Sequence, residues 1–466
     1  MTRDSYRRSF IKGVGAATIV GLAGCSGDSS DGSSGDESSG DGSSSTDTGT
    51  STGGTTGGTT IIQFWPAWGS YYEETFNEMI NRFESNHDIT VEMSAQGSYG
   101  EAQKAVFSAA KAGNAPDIAH LGKNSTVIAR DTGYFKPIGD VMPDLDTSQY
   151  IGPAIGWSQL EGKLWSLPFN NSQILLYYNK NHFREAGLDP ESPPQTFQQV
   201  KEYSQQIVDQ GVAEKGISWP NIAWWTMSWL SEQQQLFCNK ENGVEGAPTK
   251  TFLASDAAET MFDWWINDMA DLYHYPGKND WGASETAFRE GTASMHMNSS
   301  GGLAYLLGGF RDQGIDVGVG RLPTPNMEHG GHSTGGAAVW VTDKDRSNAK
   351  RDAIRKFLRS MTGPEQQALY FKNTGYFPSH KESITQLEDE GFFADNPLYD
   401  TAFNQLQQWE AAPATQGIFM GTLPRTTDLI IDQTDRMWQG KDVSQALADM
   451  KSEADELLGS YERVSY

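Results

Sequence analysis

Residues 166–190 read SLPFNNSQILLYYNKNHFREAGLDP. The polar turn Asn170-Asn171-Ser172 stands directly against the apolar run Ile174 to Tyr178, and a Lys/Asn-rich stretch punctuated by Gly187 follows. The run ILLYYN has the composition of a buried strand, and FREAGLDP that of a short helix stopped by glycine. A strand that opens on three consecutive polar residues is either an irregular edge or a place where the chain holds something.

Outward from this segment the pattern repeats. Downstream, PQTFQQVKEYSQQIVDQG places Thr196 and Gln199 at capping-box spacing, with Val200, Tyr203 and Ile207 on one helical face and Gly211 as the stop. Upstream, IIQFW (61–65) reads as a strand, and Tyr72, Phe76, Met79, Ile80 and Phe83 recur at helical spacing. ITVEM is a second strand, EAQKAVFSAAKAG a helix closed by Gly113, and PDIAHL a third strand. Further helices are expected over about 256–271, 347–361, 364–372, 426–439 and 444–458. Strands alternating with helices define an α/β chain. At 466 residues it exceeds the roughly 250–300 residues of a single core, so two lobes are expected.

The first 24 residues are not part of that fold. YRRSFIKGVGAATIVGLAGC carries the arginine pair Arg7-Arg8 ahead of a weakly apolar run from Val14 to Ala23, which is too short to span a bilayer. Leu22-Ala23-Gly24-Cys25 resembles a lipobox, so residues 1–24 are expected to be a twin-arginine export signal and Cys25 the lipidated residue. Residues 25–60 form the next segment: Ser26 to Thr60 hold no aliphatic or aromatic side chain and read as a Ser/Gly/Thr/Asp tether. A coil of that length spans roughly 30–35 Å. With Cys25 lipidated, Cys238 has no partner for a disulfide and is expected to be a buried thiol.

The formal charge is −25, and residues 1–24 carry Arg3, Arg7, Arg8 and Lys12 against Asp4, which leaves about −28 after their removal. Such a surface repels nucleic acid and anionic membranes. An acidic, lysine-poor exported chain resembles those of extreme halophiles, in which salt screens the self-repulsion.

Motifs for chemistry are sparse. Gly331-His332-Ser333-Thr334-Gly335 matches the G-x-S-x-G of an esterase elbow, but GAAVWVTD behind it reads as a strand where the elbow needs a helix. The eight histidines show no metal-ligand spacing, His329 and His332 coming closest, and neither a Walker A loop nor a G-x-G-x-x-G after a strand occurs, so no cofactor is expected. Sequons stand at Asn124, Asn170 and Asn298. What remains is aromatic density. Trp264 and Trp265 lie in a helical pattern and read as core. In SWPNIAWWTMSW, by contrast, Trp219, Trp224, Trp225 and Trp229 are mixed with Ser, Asn and Thr, and Trp65 and Trp68 flank a proline. Indole faces stack on sugar C–H faces while nearby hydroxyls and amides bond the sugar oxygens, so Trp225 and Trp68 are taken as candidates for a carbohydrate cleft.

LPFNNSQILLYYNKNHFREAGLDPESPPQTF resembles the family 1 extracellular solute-binding proteins that feed ABC importers, most of all those for glycerol-3-phosphate. GSYGEAQKAVFSAAKAGNAPDI, GTASMHMNSSG, STGGAAVWV, AIRKFLRSMTGPEQQALYFKNTGYFPS and GFFADNP follow in the family's order. The resemblance implies a two-lobed α/β periplasmic-binding-protein-like fold of type 2 with three interlobe crossings, expected near Ser172, Asn298 and Val341. Lobe 1 is then 61–171 plus 298–341, and lobe 2 is 172–297 plus 342–466. The family's ligand contacts fall on Tyr99, Ser172, Ser299, Gly336 and Tyr376, which offer O–H and backbone N–H donors. Two positions depart: Lys123 stands where relatives carry Glu, and Thr427 where they carry Arg, with Arg425 two residues earlier. Loss of a bidentate arginine favours carbohydrate-class ligands in general over the phosphate in particular, with Lys123 or Arg425 as compensating cations.

The implied activity is capture without catalysis. A monomeric, lipid-anchored receptor on the outer face of the cell membrane closes on a sugar, polyol or glycerol phosphate and delivers it to a permease with its ATPase. The competing reading is a secreted hydrolase, through Ser333 or a carboxylate pair.

Overall fold

The computed structural model describes residues 59–67, 70–328, 330–407 and 412–461. The signal, Cys25 and nearly all of the tether lie outside the described residues, as does Trp68.

The strands are β1 (Thr60–Pro66), β2 (Ile89–Met93), β3 (Ile118–Gly122), β4 (Phe135–Lys136), β5 (Gln159–Leu160), β6 (Lys163–Leu164), β7 (Leu167–Ser172), β8 (Ile174–Asn179), β9 (Lys215–Ser218), β10 (Tyr273–His274), β11 (Ala293–Ser299), β12 (Val317–Arg321) and β13 (Gly335–Thr342). They form two main sheets. The first has the order β2-β1-β3-β13-β4, with β7 also on β13, and the second β10-β9-β11-β8-β12. β5 and β6 pair as a separate hairpin. In the first sheet β1, β2 and β3 are parallel while β13 runs antiparallel to its neighbours. β8 is antiparallel to both β11 and β12.

The expected strand ILLYYN is β8, and every residue of it is buried. Side chains alternate between faces along a strand. Ile174, Leu176 and Tyr178 accordingly enter one cluster with Trp219, Trp229 and Trp265, and Leu175 and Tyr177 another with Phe310 and Phe371. A strand covered on both faces reads as a continuous apolar run, which is why it stood out in the sequence.

The helices follow their periodicities. α1 (Ser70–Glu84) buries Phe76, Met79, Ile80 and Phe83; α2 (Tyr99–Lys111) begins at a Ser98/Glu101 capping box; α3 (Phe197–Asp209) begins at the expected Thr196/Gln199 box. α4 (Ala223–Glu232) carries the tryptophan segment, and α5 (Leu303–Asp312) flanks the second sheet. The remaining helices that matter here are α6 (Asn348–Met361), α7 (Pro364–Thr374), α8 (Pro397–Gln407), α9 (Leu423–Trp438) and α10 (Val443–Ser460). The helix expected over 256–271 is α-helical over Asp256–Asp263 and continues as a π-helical turn over Trp264–Asp268. Cys238 is buried and its thiol pushed up to about 12 by desolvation. No helix among the described residues is long and apolar enough to cross a membrane.

The boundaries drawn from the sequence need correction at two crossings. Residues 298–341 do not all join the first lobe, because after β11 the chain runs through α5 and returns as β12 beside β8, in the second sheet. It re-enters the first sheet only at Gly335. Nor does the first lobe end at Val341, since Ile354, Phe357, Leu358 and Met361 of α6 pack with Phe64 and Phe76 behind the first sheet. The chain passes between the sheets at Ser172–Gln173, between Arg321 and Gly335, and after α7, where Tyr376 joins the first lobe's cluster and Phe377 the second's.

Asp117 locks the first lobe. Its buried carboxylate accepts from the Gln63 backbone N–H (3.0 Å) and pairs with Lys350 (2.7 Å), Arg346 (3.0 Å) and Lys344 (3.3 Å), tying β1 and the start of β3 to the first turn of α6 and the segment before it. Burial pushes this carboxyl upward, but the amide and the three cations outweigh it and hold it below the usual range. Asp117→Asn is expected to cost about 2–4 kcal/mol at neutral pH by denaturant unfolding. Because the folded value is depressed, this advantage of wild type is full above about pH 4 and shrinks as pH falls through the native value. A gap that does not narrow in acid contradicts the assignment.

Candidate functional site

The three crossings lie side by side. Ser172 pairs with Gly335 and Asn171 with Gly336, and Asn171 also bridges to Phe377. β7 is buried along its whole length, so its polar side chains need internal partners. Asn171 finds them on every side. Its backbone carbonyl accepts from Phe377 N (2.7 Å), and its Nδ2 donates to Phe377 O (3.1 Å) and Ser379 Oγ (2.9 Å). Its Oδ1 accepts from Lys123 Nζ, which also donates to Thr334 Oγ1 (2.8 Å). Asn171 with Lys123 thus binds all three crossings together.

Around this knot the candidate residues converge. Tyr99, the first residue of α2, accepts from Asn170 Nδ2 (3.1 Å), and its hydroxyl stands 3.4 Å from that of Tyr376. The Tyr376 ring packs on Gly301, where an added Cβ would come within 2.4 Å of it; Gly301 N in turn donates to Ser299 Oγ (3.0 Å). Gly336 has φ 104°, and a Cβ there would stand 2.1 Å from the Asn170 carbonyl, so glycine is required on both counts. Tyr99, Ser172, Ser299, Gly336, Tyr376 and Lys123 therefore meet at the crossings.

The aromatic candidate is corrected. Trp225 is fully buried and its indole N–H donates to the Pro220 carbonyl, so it is part of the second lobe's core, as are Trp219 and Trp229. Its neighbour Trp224 is half-buried and reaches the site: a Cβ on Gly335 would stand 2.8 Å from the Trp224 ring and 2.9 Å from Ser172 Oγ. Arg425, exposed in the first turn of α9, makes no hydrogen bond or ion pair among the described residues, and Thr427 spends its hydroxyl on the Pro424 carbonyl. The structure does not bring Arg425 to the knot.

Two polar groups are perturbed. Burial holds the Lys123 ammonium well below the usual lysine range, and no carboxylate pairs with it among the described residues. His120, buried against Phe76 and Phe169 beside Tyr99, is pushed down to about 4 by burial, against the opposing effect of Asn170. His120 is a site-supporting residue that sequence reasoning missed, and Asn170 was read only as part of the polar turn at the first crossing. Their signal was polarity inside a buried strand: NNS is the part of β7 with no apolar side chain.

The elbow motif around Ser333 lacks the helix that an esterase elbow needs. Residues 335–342 behind Ser333 are β13, not a helix, and His332 Nδ1 faces Glu232 Oε1 at 2.7 Å, whose other oxygen accepts from Gly331 N at 3.0 Å. Among the described residues no group of three or more His, Cys, Asp or Glu side chains is placed to hold a metal. Of the sequons, Asn170 and Asn298 are buried and cannot accept a glycan, while Asn124 is exposed.

Two α/β lobes joined by three adjacent chain crossings, with hydroxyl and backbone donors gathered beside them, have the architecture of a two-lobed solute-binding protein. The chain belongs to the bacterial extracellular solute-binding protein family, whose model matches residues 78–401. It is 29% identical over 421 residues to the sn-glycerol-3-phosphate-binding periplasmic protein UgpB of Shigella flexneri, covering 87% of this chain and 94% of that one. The UgpB of Escherichia coli K12 is 28% identical over the same length and shares. Among solved structures, UgpB from Mycobacterium tuberculosis in complex with glycerophosphocholine aligns with TM-score 0.72 at 21% identity, over 86% of this chain and 99% of that one. The acarbose-binding GacH receptor of Streptomyces glaucescens aligns with TM-score 0.72 at 19% identity, over 87% and 100%.

The two adjacent tryptophans are separable. Trp225→Ala is expected to lose about 3–5 kcal/mol of stability. Trp224→Ala should melt much closer to wild type while weakening binding of whichever sugar or polyol the wild type takes, by titration calorimetry. Equal destabilisation by both changes, with binding intact in Trp224→Ala, contradicts the placement.

Proposed function

We propose that this protein is the substrate-binding component of an ABC importer, which captures a carbohydrate-class solute between its lobes and hands it to a membrane permease without chemical turnover. The observation that carries the reading is that Ser172, Gly336 and Tyr376 lie at the three chain crossings, with Tyr99 and Ser299 beside them. A ligand there touches both lobes, and a ligand that binds the closed form better shifts the population towards it. The family and the glycerol-3-phosphate-binding relatives support the solute class.

Within that class, sugars, polyols and glycerol phosphates remain the substrates to compare. Trp224 over Ser172 suits a sugar or polyol face, and its hydroxyl-rich surroundings suit the oxygens. Lys123 is the buried amine beside the site, its charged form disfavoured by burial, and Arg425 is exposed, so among the described residues no arginine fork for a phosphate stands there. A thermal-shift screen at high salt over sugars, polyols and glycerol phosphates tests this. A ligand at 100 times its Kd adds about 2.7 kcal/mol, and a neutral sugar or polyol is expected to do so. Lys123→Met should leave that shift largely in place; a shift by glycerol-3-phosphate alone, lost in Lys123→Met, overturns the neutral-ligand preference. No shift with any of them counts against the binding reading itself.

We further propose export by the twin-arginine route and anchoring through a lipid on Cys25, on the outer face of the cell membrane, as a monomer in a high-salt medium. Support comes from Arg7-Arg8, the lipobox-like Leu22-Ala23-Gly24-Cys25 and the charge of −25. Cys25→Ser is expected to move the protein from the membrane fraction to the medium. Retention of that variant on membranes contradicts the anchor.

A further inference from the structure

The lobes also touch away from the crossings, through two aromatic side chains that change sides. Trp157 stands on a turn of the first lobe: its carbonyl accepts from Thr126 Oγ1 (2.6 Å), at the start of the short helix Thr126–Thr132, and the chain then enters the hairpin of β5 and β6. Its side chain, 5% exposed, nevertheless belongs to the second lobe's cluster with Ile418 and Met420. Phe419, 3% exposed, does the reverse. Its neighbours Ile418 and Met420 and the helix α9 that follows belong to the second lobe, whereas its own ring joins Leu121 and Trp340 in a cluster of the first. The two rings meet with centroids 5.9 Å apart, inclined by 49°.

The backbone is shaped for this exchange. Gly417 has φ 126°, and a Cβ there would stand 2.7 Å from the Trp157 ring; a Cβ on Gly156 would stand 2.7 Å from the Gln416 carbonyl. Glycine at both positions lets the two lobes approach at backbone level. Behind Phe419 lies the only run of consecutive non-glycine residues with positive φ among the described residues: Lys240, Glu241 and Asn242, at 61°, 50° and 56°. L-residues enter this region singly and at a cost, so three in succession must be held there by their surroundings. Asn242 supplies the bonds. Its Oδ1 accepts from Phe237 N (2.7 Å) and Cys238 N (3.1 Å), its Nδ2 donates to the Pro413 carbonyl (3.2 Å), and its own carbonyl accepts from Phe419 N (2.7 Å). The strained turn thus fixes the segment 413–419 that presents Phe419 to the first lobe. A polar bond also links the lobes here: Tyr461, just past the end of α10, donates to Asp131 Oδ2 on the helix Thr126–Thr132 (2.8 Å).

None of these residues belongs to the three crossings or to the ligand contacts proposed above. A contact between lobes that lies off the crossings changes when the lobes turn, so its free energy counts in one arrangement and not in the other. We propose that Trp157 and Phe419 form an interlobe clasp that stabilises the arrangement of the lobes seen in the structure, and thereby sets the affinity for the solute without touching it. The effect on affinity rests on the interlobe binding reading given above; the effect on lobe arrangement does not.

Two measurements test it, the first without any ligand. Spin labels at Glu74→Cys on α1 and Glu202→Cys on α3, both exposed, report the distance between the lobes by double electron–electron resonance in the full chain carrying Cys25→Ser, Cys238 being buried. Trp157→Leu and Phe419→Leu are each expected to move the distance distribution away from that of wild type, in the same direction. The double variant should go no further than the larger single change, because each ring acts through the other. Tyr461→Phe, which keeps every apolar contact, should move it the same way by less; should Trp157→Leu fail to fold, Phe419→Leu and Tyr461→Phe carry the same test. Distances unchanged in the folded variants, or independent additive shifts, overturn the clasp. The second measurement is the Kd of the compound that gives the largest thermal shift in the screen above. Its sign is fixed by the first: if that compound moves the wild-type distances in the direction of the variants, Phe419→Leu binds it more tightly, and if it moves them the other way, more weakly, by at least about fivefold in either case. An unchanged Kd beside shifted distances, or a change of the opposite sign, overturns the link to affinity. If no compound in the screen binds, it is the binding reading that fails, and the distances alone still decide the clasp.

Discussion

The structure depends on one buried amide. A strand that passes from one lobe to another through a closed interior cannot rely on water for its polar groups, and an unpaired one costs about 1–3 kcal/mol. Asn171 meets this constraint by bonding, through backbone and side chain, to the third crossing at Phe377 and Ser379 and, through Lys123, to the second at Thr334. Gly336 can lie against β7 because it has no Cβ to strike the Asn170 carbonyl. The crossings are thus held at fixed spacing before any ligand is considered, and the residues they carry inherit that spacing.

Much of the architecture was legible in the residues. Apolar spacing located α1 and α3, a capping pair located the start of α3, Gly113 the end of α2, and the continuous run ILLYYN the central strand β8. These are local signals, written within one element. Strand membership is not local. VGVGR, 317–321, reads as a strand in either sheet, and only its register against Leu175 to Asn179 decides for the second. The same limit explains Trp224 and Trp225. Neighbours on a helix point about 100° apart, so one of them turns to the core and the other away, and two identical side chains carry no sign of which. The polar site residues were legible in part: Ser172 could be placed by resemblance, but His120 and Asn170 support it from positions that, in sequence, looked like an unremarkable histidine and a sequon.

Each crossing changes allegiance within a residue or two. At the first, Asn171 is bonded to the first lobe's side of the knot, while Gln173 N donates to Ser300 Oγ (3.1 Å) and Gln173 Oε1 accepts from Gln405 (3.0 Å). At the second, Gly331 and His332 are fastened to Glu232 at the end of α4, while Thr334 donates to the Pro153 carbonyl (3.0 Å) and accepts from Lys123. At the third, Tyr376 stacks with Tyr370 and Phe377 with Phe371. Ser172, paired with Gly335, and Ser333 stand between the two sets of anchors, and on the proposed binding reading a line through them is where the lobes turn.

Position on that line determines what each contact contributes to closure. A ligand shifts the equilibrium only by its difference in affinity for the two forms. On the proposed binding reading, a ligand bond to Ser172, on the line, changes little between the two forms and contributes little to that difference. Tyr99 is carried by α2 in the first lobe and Trp224 by α4 in the second, and their separation is what changes when the lobes turn. On the proposed binding reading, the free energy that favours the closed form comes from a ligand held by Tyr99 and Trp224 at once.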